Sequence, residues 1–268
     1  MIDPIRCVVF SLDRPMQLGA FLMSVRQHVG GLYEPVVVLY RSSDRRFAAG
    51  YAAVRDEHPE VEWHEERDFR NDLLSIVDSS GTLVFHTDDD VFFADVGPFE
   101  LRDDEVCFSL RLGLNIDYSY SLDVPERLQR PSVSADRISW DWRMQAPGSF
   151  SYPLALNGHV LRARESRSLI EAVEFTDPNE LESELHKRQE TPHHRMASFS
   201  SSRVVSIPAN IVTRTFRNRH EGLHTPRDLN ERFLAGERIA PELMGFNAIT
   251  SCHQEIPFAY RSASRTPE

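Results

Sequence analysis

Three cysteines, Cys7, Cys107 and Cys252, are all that this 268-residue chain contains. Their odd number, wide separation and lack of any CxxC spacing leave no disulfide framework and no thiolate zinc site to expect. They read as buried thiols. No run approaches the ~20 apolar residues of a membrane span, and the opening Met-Ile-Asp-Pro-Ile-Arg-Cys lacks the basic-then-apolar layout of a signal peptide. The expectation is a cytoplasmic protein, with any membrane contact peripheral. Positive charge is also short: 41 Asp and Glu against 30 Lys and Arg give a net charge of −11, opposite to the field a nucleic-acid binder needs. Small phosphate ligands stay open, because a few local arginines can hold them. No repeat or low-complexity linker interrupts the chain, and a composition of 41% hydrophobic and 26% charged residues suits one globular domain with an ample core.

What is present centres on Thr82-Leu-Val-Phe-His-Thr-Asp-Asp-Asp-Val-Phe-Phe93, an apolar run ending in Asp88, Asp89 and Asp90. Such a run reads as a buried strand. Three adjacent carboxylates repel one another unless a cation sits among them. Oxygen ligands suit Mg²⁺ or Mn²⁺, and Mg²⁺ is usually held by one or two carboxylates together with substrate phosphates. A solvated acidic turn is the plain alternative.

Strands are expected at 5–12, 35–40, 60–64 and 82–87, with helices from Pro15 to about His28, at 45–57 and at 68–79. Gly30-Gly31 ends the first helix and Asp44 caps the second. This alternation predicts an α/β fold with a mostly parallel central sheet flanked by helices. Ligands bind such sheets beyond the carboxyl ends of the strands. Ser11, Asp13, Arg14, Arg41 and Arg70 fall at those ends and could hold base, ribose and diphosphate, although Asp13 and Asp44 also suit helix caps and the arginines also suit a surface. Beyond the aspartates a strand is expected at 105–110, then an irregular stretch over 111–150 in which Tyr118, Tyr120, Trp140 and Trp142 either offer a sugar-stacking surface or anchor the loop. A return strand at 151–156 ending in the tight turn Asn157-Gly158, helices at 166–174 and 178–189, a strand at 203–207, a short helix at 227–235 and a fraying tail complete the reading.

In order, Asp88-Asp89-Asp90, Asn157-Gly158, Glu180 to Glu182 and His253 resemble the motifs of glycosyltransferases of the GT-A fold. The resemblance spans most of the chain and is specific at the aspartates. It implies a Rossmann-like nucleotide-binding half over 1–95 and an irregular acceptor-binding half over 96–268, together forming one domain. It further implies Mn²⁺ or Mg²⁺ held by Asp88, Asp90 and His253, with Asp88 also reaching the ribose and Asp89 the donor sugar. His220 and His224 compete for the histidine's place. The family's acidic motif is often Glu-Asp, whereas this chain reads Asn-Glu-Leu-Glu, which leaves the base open between Glu182 and Glu180.

The activity so implied is transfer of a sugar from a nucleotide-sugar, foremost a UDP-sugar, to a glycan or lipid-linked saccharide of cell-surface polysaccharide assembly. A metal on the diphosphate would stabilise the leaving group, and an inverting enzyme needs a carboxylate to take the acceptor's proton. Three rivals stand beside it. A sugar-phosphate nucleotidyltransferase would carry a glycine-rich loop after the first strand, where this chain has Ser11-Leu-Asp-Arg-Pro15. A metal-dependent phosphoesterase could draw on His86, Asp88, His193, His194 and His253. A non-catalytic carbohydrate-binding protein would look much the same.

Overall fold

A computed structural model of the protein describes residues 4–188, 191–212 and 219–262. The tail expected to fray lies almost wholly outside the described residues. Strand β1 (Ile5–Leu12) leads to helix α1 (Pro15–His28), which starts without a side-chain cap because Pro15 supplies a first-turn residue with no N–H to satisfy. Strand β2 (Tyr33–Arg41) leads to α2 (Arg45–Glu57), whose first amides at Arg46 and Phe47 donate to Asp44 Oδ1 at 2.8 and 3.0 Å. Then come β3 (Glu62–Glu65), α3 (Phe69–Ile76) and β4 (Thr82–Thr87). The expected α3 was longer, but Val77 takes up an extended backbone that ends it.

These four strands run parallel in the order β3-β2-β1-β4. The interiors of three of them, Val8 and Val9 on β1, Val37 and Val38 on β2, Val84 and Phe85 on β4, are closed from solvent, the pattern of a sheet covered on both faces, while β3 is a polar edge. Past β4 comes a three-residue strand, β5 (Asp90–Phe92), in a separate small sheet. The main sheet continues with β6 (Glu105–Ser109), and its edge is built by β9 (Ser132–Ser134) and β10 (Arg137–Asp141), after a two-residue ribbon of β7 (Tyr118–Ser119) and β8 (Val124–Pro125). The stretch 111–150 is therefore less irregular than its sequence reads: Trp140 of β10 is 1% exposed and packs edge-on against Phe150.

The expected strand at 151–156 is absent. That segment is a turn, and the strand instead follows Asn157-Gly158 as β11 (His159–Arg162). It inserts between β4 and β6, antiparallel to both. Helices α4 (Ala163–Glu171) and α5 (Pro178–Arg188) follow, then β12 (Arg195–Phe199), parallel to β6 and antiparallel to β10. β13 (Val204–Ser206) pairs with β5, and α6 (Pro226–Leu234) precedes a last ribbon of β14 (Glu237–Ile239) and β15 (Tyr260–Ser262). The full order is β3-β2-β1-β4-β11-β6-β12-β10-β9. The sheet is thus parallel on its first side and mixed beyond, and one apolar core runs through both halves.

Candidate active site

The ladder between β1 and β4 carries one step past its last pair, with the Asp88 amide donating to the Phe10 carbonyl at 3.1 Å. This fixes Asp88 at the carboxyl edge of the sheet. Ser11 Oγ donates to Asp88 Oδ2 at 2.8 Å, and Arg14 Nη1 reaches Asp88 Oδ1 at 3.0 Å and Asp89 Oδ2 at 3.3 Å. Arg14 is itself pinned, its Nε donating to Asn210 Oδ1 at 2.7 Å and its Nη2 to the Asn210 carbonyl. A cation does sit among the aspartates, and it is this guanidinium. Burial drives the Asp88 carboxyl up to about 6 against the pull of Arg14, and the same two opposed causes leave Asp89 raised.

Asp90 faces elsewhere. On β5 it is buried, with His86 Nδ1 at 2.7 Å from Oδ2 and the Ser206 hydroxyl on Oδ1. Behind His86, its Nε2 lies 3.0 Å from the Tyr33 hydroxyl. Burial alone would raise the Asp90 carboxyl, but the His86 bond and charge, the Ser206 bond and the charge of Arg111 together hold it below the usual carboxylate range.

A second group converges on Arg111, just beyond the end of β6. Its Nη1 donates to Asn157 Oδ1 and its Nη2 lies 3.2 Å from His253 Nδ1. Asn157 Nδ2 in turn donates to Ser206 Oγ at 2.9 Å, and His253 bridges to Ser206 through the backbone. The Arg111 group and Asp90 are thus joined through one serine. Glu182, on α5, accepts the Leu156 amide at 2.9 Å beside this group. Burial raises its carboxyl, while the Leu156 amide and Arg111 pull it back. Burial and then Arg111 push the His253 imidazole down to about 3, so the ring is neutral at pH 7.

The two glutamates separate clearly. Glu180 turns back on its own helix start, its Oε2 accepting from the Thr176 amide at 2.8 Å and hydroxyl at 2.7 Å, which is helix-start chemistry. Only Glu182 faces the Arg111 group. Asp13 adopts φ 55° and accepts the Ser43 amide at 2.7 Å, holding the β1 and β2 ends together. Arg41 is exposed and pairs with Glu66 at 3.1 Å. Arg70 spends its donors on the carbonyls of Val173 and Glu171, both at 3.0 Å, and so ties α3 to the end of α4 rather than joining the aspartates. Gly158 has φ 67° and packs against Arg111 and Val204. His224 stacks on Phe258, with ring centroids 5.5 Å apart, and His193 bonds Glu165 at 3.1 Å. Tyr120, Trp140 and Trp142 are buried and serve as anchors.

Arg111 was not among the residues singled out from the sequence. The signal was available: Ser109-Leu-Arg-Leu-Gly113 places an arginine straight after an apolar strand, the same position that drew attention to Asp88.

The expected metal centre of Asp88, Asp90 and His253 does not fit this arrangement. Asp88 already pairs with Arg14, and Asp90 accepts from His86 and Ser206. A neutral imidazole has one lone-pair nitrogen, and in His253 that nitrogen faces Arg111. Among the described residues no three His, Cys, Asp or Glu side chains gather into a group that could hold a metal. His86, His193 and His194, the histidines a phosphoesterase would draw on, are held apart on Asp90, Glu165 and elsewhere rather than gathered. A cavity of about 370 Å³ opens nearby, lined by Leu114, Ile116, Asp117, Glu126, Arg127, Leu128 and Pro131. It is tied to the Arg111 group through Thr250, whose carbonyl accepts the Asp117 amide at 2.9 Å two residues before Cys252. Among the described residues no helix is long and apolar enough to cross a membrane.

No family model matches the chain. Over 198 residues, 63% of its length, it is 24% identical to the bifunctional glycosyltransferase pgtA of Dictyostelium discoideum, and the match spans 25% of that protein. Among solved structures, galactosyltransferase LgtC in complex with donor and acceptor sugar analogs overlaps 67% of this chain and 70% of its own, at 12% identity and a TM-score of 0.38. The apo structure of the WbbM bifunctional glycosyltransferase overlaps 69% of this chain and 38% of its own, at 16% identity and a TM-score of 0.37.

Proposed function

We propose that the protein is a glycosyltransferase that moves a sugar from a nucleotide-sugar, foremost a UDP-sugar, to a hydroxyl of a glycan or lipid-linked saccharide. The observation that carries this reading is the chain of contacts at the carboxyl edge of one sheet, from the aspartate cluster through Asp90, Ser206 and Asn157 to Arg111 and the half-buried Glu182 beside it. The sequence match to a glycosyltransferase supports the same class. Asp88 and Asp89 present acceptor oxygens for ribose or sugar hydroxyls. Glu182 takes the proton of the acceptor hydroxyl as its oxygen attacks C1, and the C1–O bond to the diphosphate breaks with its electron pair leaving on the phosphate. The cavity along Leu114 to Pro131, with Asp117 and Glu126 among apolar side chains, offers room for a saccharide acceptor.

The test is turnover. UDP-, GDP-, dTDP- and CMP-sugars are each incubated with the protein in Mn²⁺, in Mg²⁺ and in EDTA, and nucleotide release is followed by chromatography. Release from one donor class, accelerated by a saccharide acceptor and suppressed in Glu182→Gln, is the expected result. Binding of saccharides with no release from any donor would leave a carbohydrate-binding protein instead. The divalent ion expected from the sequence enters here as a variable of the assay.

A further inference from the structure

We propose that Arg111 is the built-in cation of the donor site, its guanidinium receiving the diphosphate of the nucleotide-sugar where the sequence pattern placed a divalent ion. This rests on the transferase reading. Two buried arginines stand at this edge of the sheet, Arg14 at 9% exposure and Arg111 at 8%. Their surroundings differ in one decisive respect. Arg14 is neutralised in direct contact by two aspartates. The Arg111 guanidinium meets uncharged partners instead: the Asn157 amide oxygen, the neutral ring of His253 and the Cys252 thiol. Among the described residues no carboxylate lies within ion-pairing distance of it, and Asp90 and Glu182 act on it only from farther off.

A buried charge without a contacting counter-ion is costly, and folds keep one where a ligand supplies the opposite charge. The group is also held for that purpose. Asn157 is fixed by Ser206 at 2.9 Å, the Arg111 carbonyl accepts from Cys252 Sγ at 3.5 Å, and Gly158 leaves no slack beside the Arg111 Cβ. A guanidinium carries five N–H donors in a planar fork suited to phosphate oxygens. Two of them engage Asn157 and His253 here, and the planar fork has donors beyond those two. As the C1–O bond breaks, the electron pair moves onto the phosphate oxygen, so a fixed positive charge there favours the departing group over the bound donor. His253, which cannot offer its lone pair to a metal in this arrangement, instead orients the fork.

The experiment is calorimetry of the full chain against UDP, GDP, dTDP and CMP, in EDTA and in Mn²⁺, for wild type, Arg111→Lys and Arg111→Met. Each protein is first checked by circular dichroism. The proposal expects one nucleotide diphosphate to bind in EDTA within about twofold of its affinity in Mn²⁺. It expects a loss of about 30-fold or more in Arg111→Met, the scale for truncating one side of a buried charge contact, and a smaller loss in Arg111→Lys. Should Arg111→Met fail to fold, the wild-type comparison and Arg111→Lys still decide. Binding that vanishes in EDTA would overturn the Arg111 assignment while leaving the transferase reading intact, as would unchanged affinity in a folded Arg111→Met. Failure of every nucleotide to bind in either condition would overturn both.

Discussion

His86 Nδ1 lies 2.7 Å from Asp90 Oδ2, with both side chains closed off from solvent. With Asp90 accepting there and the Tyr33 hydroxyl 3.0 Å from Nε2, the ring links the carboxylate to the tyrosine. Although burial opposes it, these bonds hold the Asp90 carboxyl below its ordinary range. The stabilisation is therefore present above the unfolded carboxylate pKa and is lost as pH falls through the lower folded value. Replacing His86 with Leu removes the donor and leaves a buried carboxylate short of a partner. A loss of about 3–5 kcal/mol in urea unfolding at pH 7 is expected. A loss below about 1 kcal/mol would mean that the pair does not hold this strand end.

Asp88 works in the opposite direction. Burial raises its carboxyl to about 6 in spite of Arg14, so the folded state binds a proton more tightly than the unfolded chain does. Stability from this group is highest below the unfolded pKa and declines as pH rises from about 4 through about 6. Urea midpoints at pH 5 and pH 8 should show that decline in wild type, and Asp88→Asn, which keeps an oxygen for Ser11 and Arg14, should flatten it. An equal decline in the variant would place the titrating group elsewhere.

The parallel half of the fold was legible because β1, β2 and β4 are apolar runs closed by polar turns, and the first two helices are marked by Pro15 and Asp44 at their starts. β12 was missed because Arg195-Met-Ala-Ser-Phe199 has two polar residues in five, too few apolar ones to announce a strand that tertiary packing nevertheless buries. Asn157-Gly158 was located but read from the wrong side, since a turn signal does not say which flank pairs. The aspartates were found, yet the cation among them was expected to be a metal. Arg14 lies 74 positions from Asp88, and no local pattern links a helix start to a carboxylate that distant.

Glu182 and Glu180 occupy one helix two residues apart but do different things. Glu182 accepts the Leu156 amide beside Arg111, whereas Glu180 is spent on Thr176. Glu182→Gln keeps an oxygen for Leu156 and removes the proposed base. Transfer should fall about 10²- to 10⁴-fold with donor affinity in calorimetry nearly unchanged. Glu180→Gln should leave transfer within about twofold and cost at most about 1 kcal/mol of stability, through the weakened helix start. Reversal of the two effects in a coupled nucleotide-release assay would move the base to Glu180.

Gly158 and Gly81 share a left-handed backbone, at φ 67° and 74°, and differ in what surrounds them. A Cβ on Gly81 would meet nothing within 4 Å, whereas one on Gly158 would lie 3.3 Å from Val204 Cγ1 and 3.4 Å from the Arg111 Cβ. Alanine at Gly81 therefore pays only for its backbone, about 1–2 kcal/mol. Alanine at Gly158 pays that and must also push back a side chain in packed surroundings, adding about 1 kcal/mol or more. The second cost falls first on Val204 and only at contact distance on Arg111, so Gly158→Ala should weaken nucleotide binding severalfold, while Gly81→Ala, though also less stable, should bind as wild type does. Thermal melts and calorimetry on the two variants separate the contributions. If both lose stability equally and bind equally well, Gly158 is needed only for its turn, and the seat of Arg111 is looser than the packing around it implies.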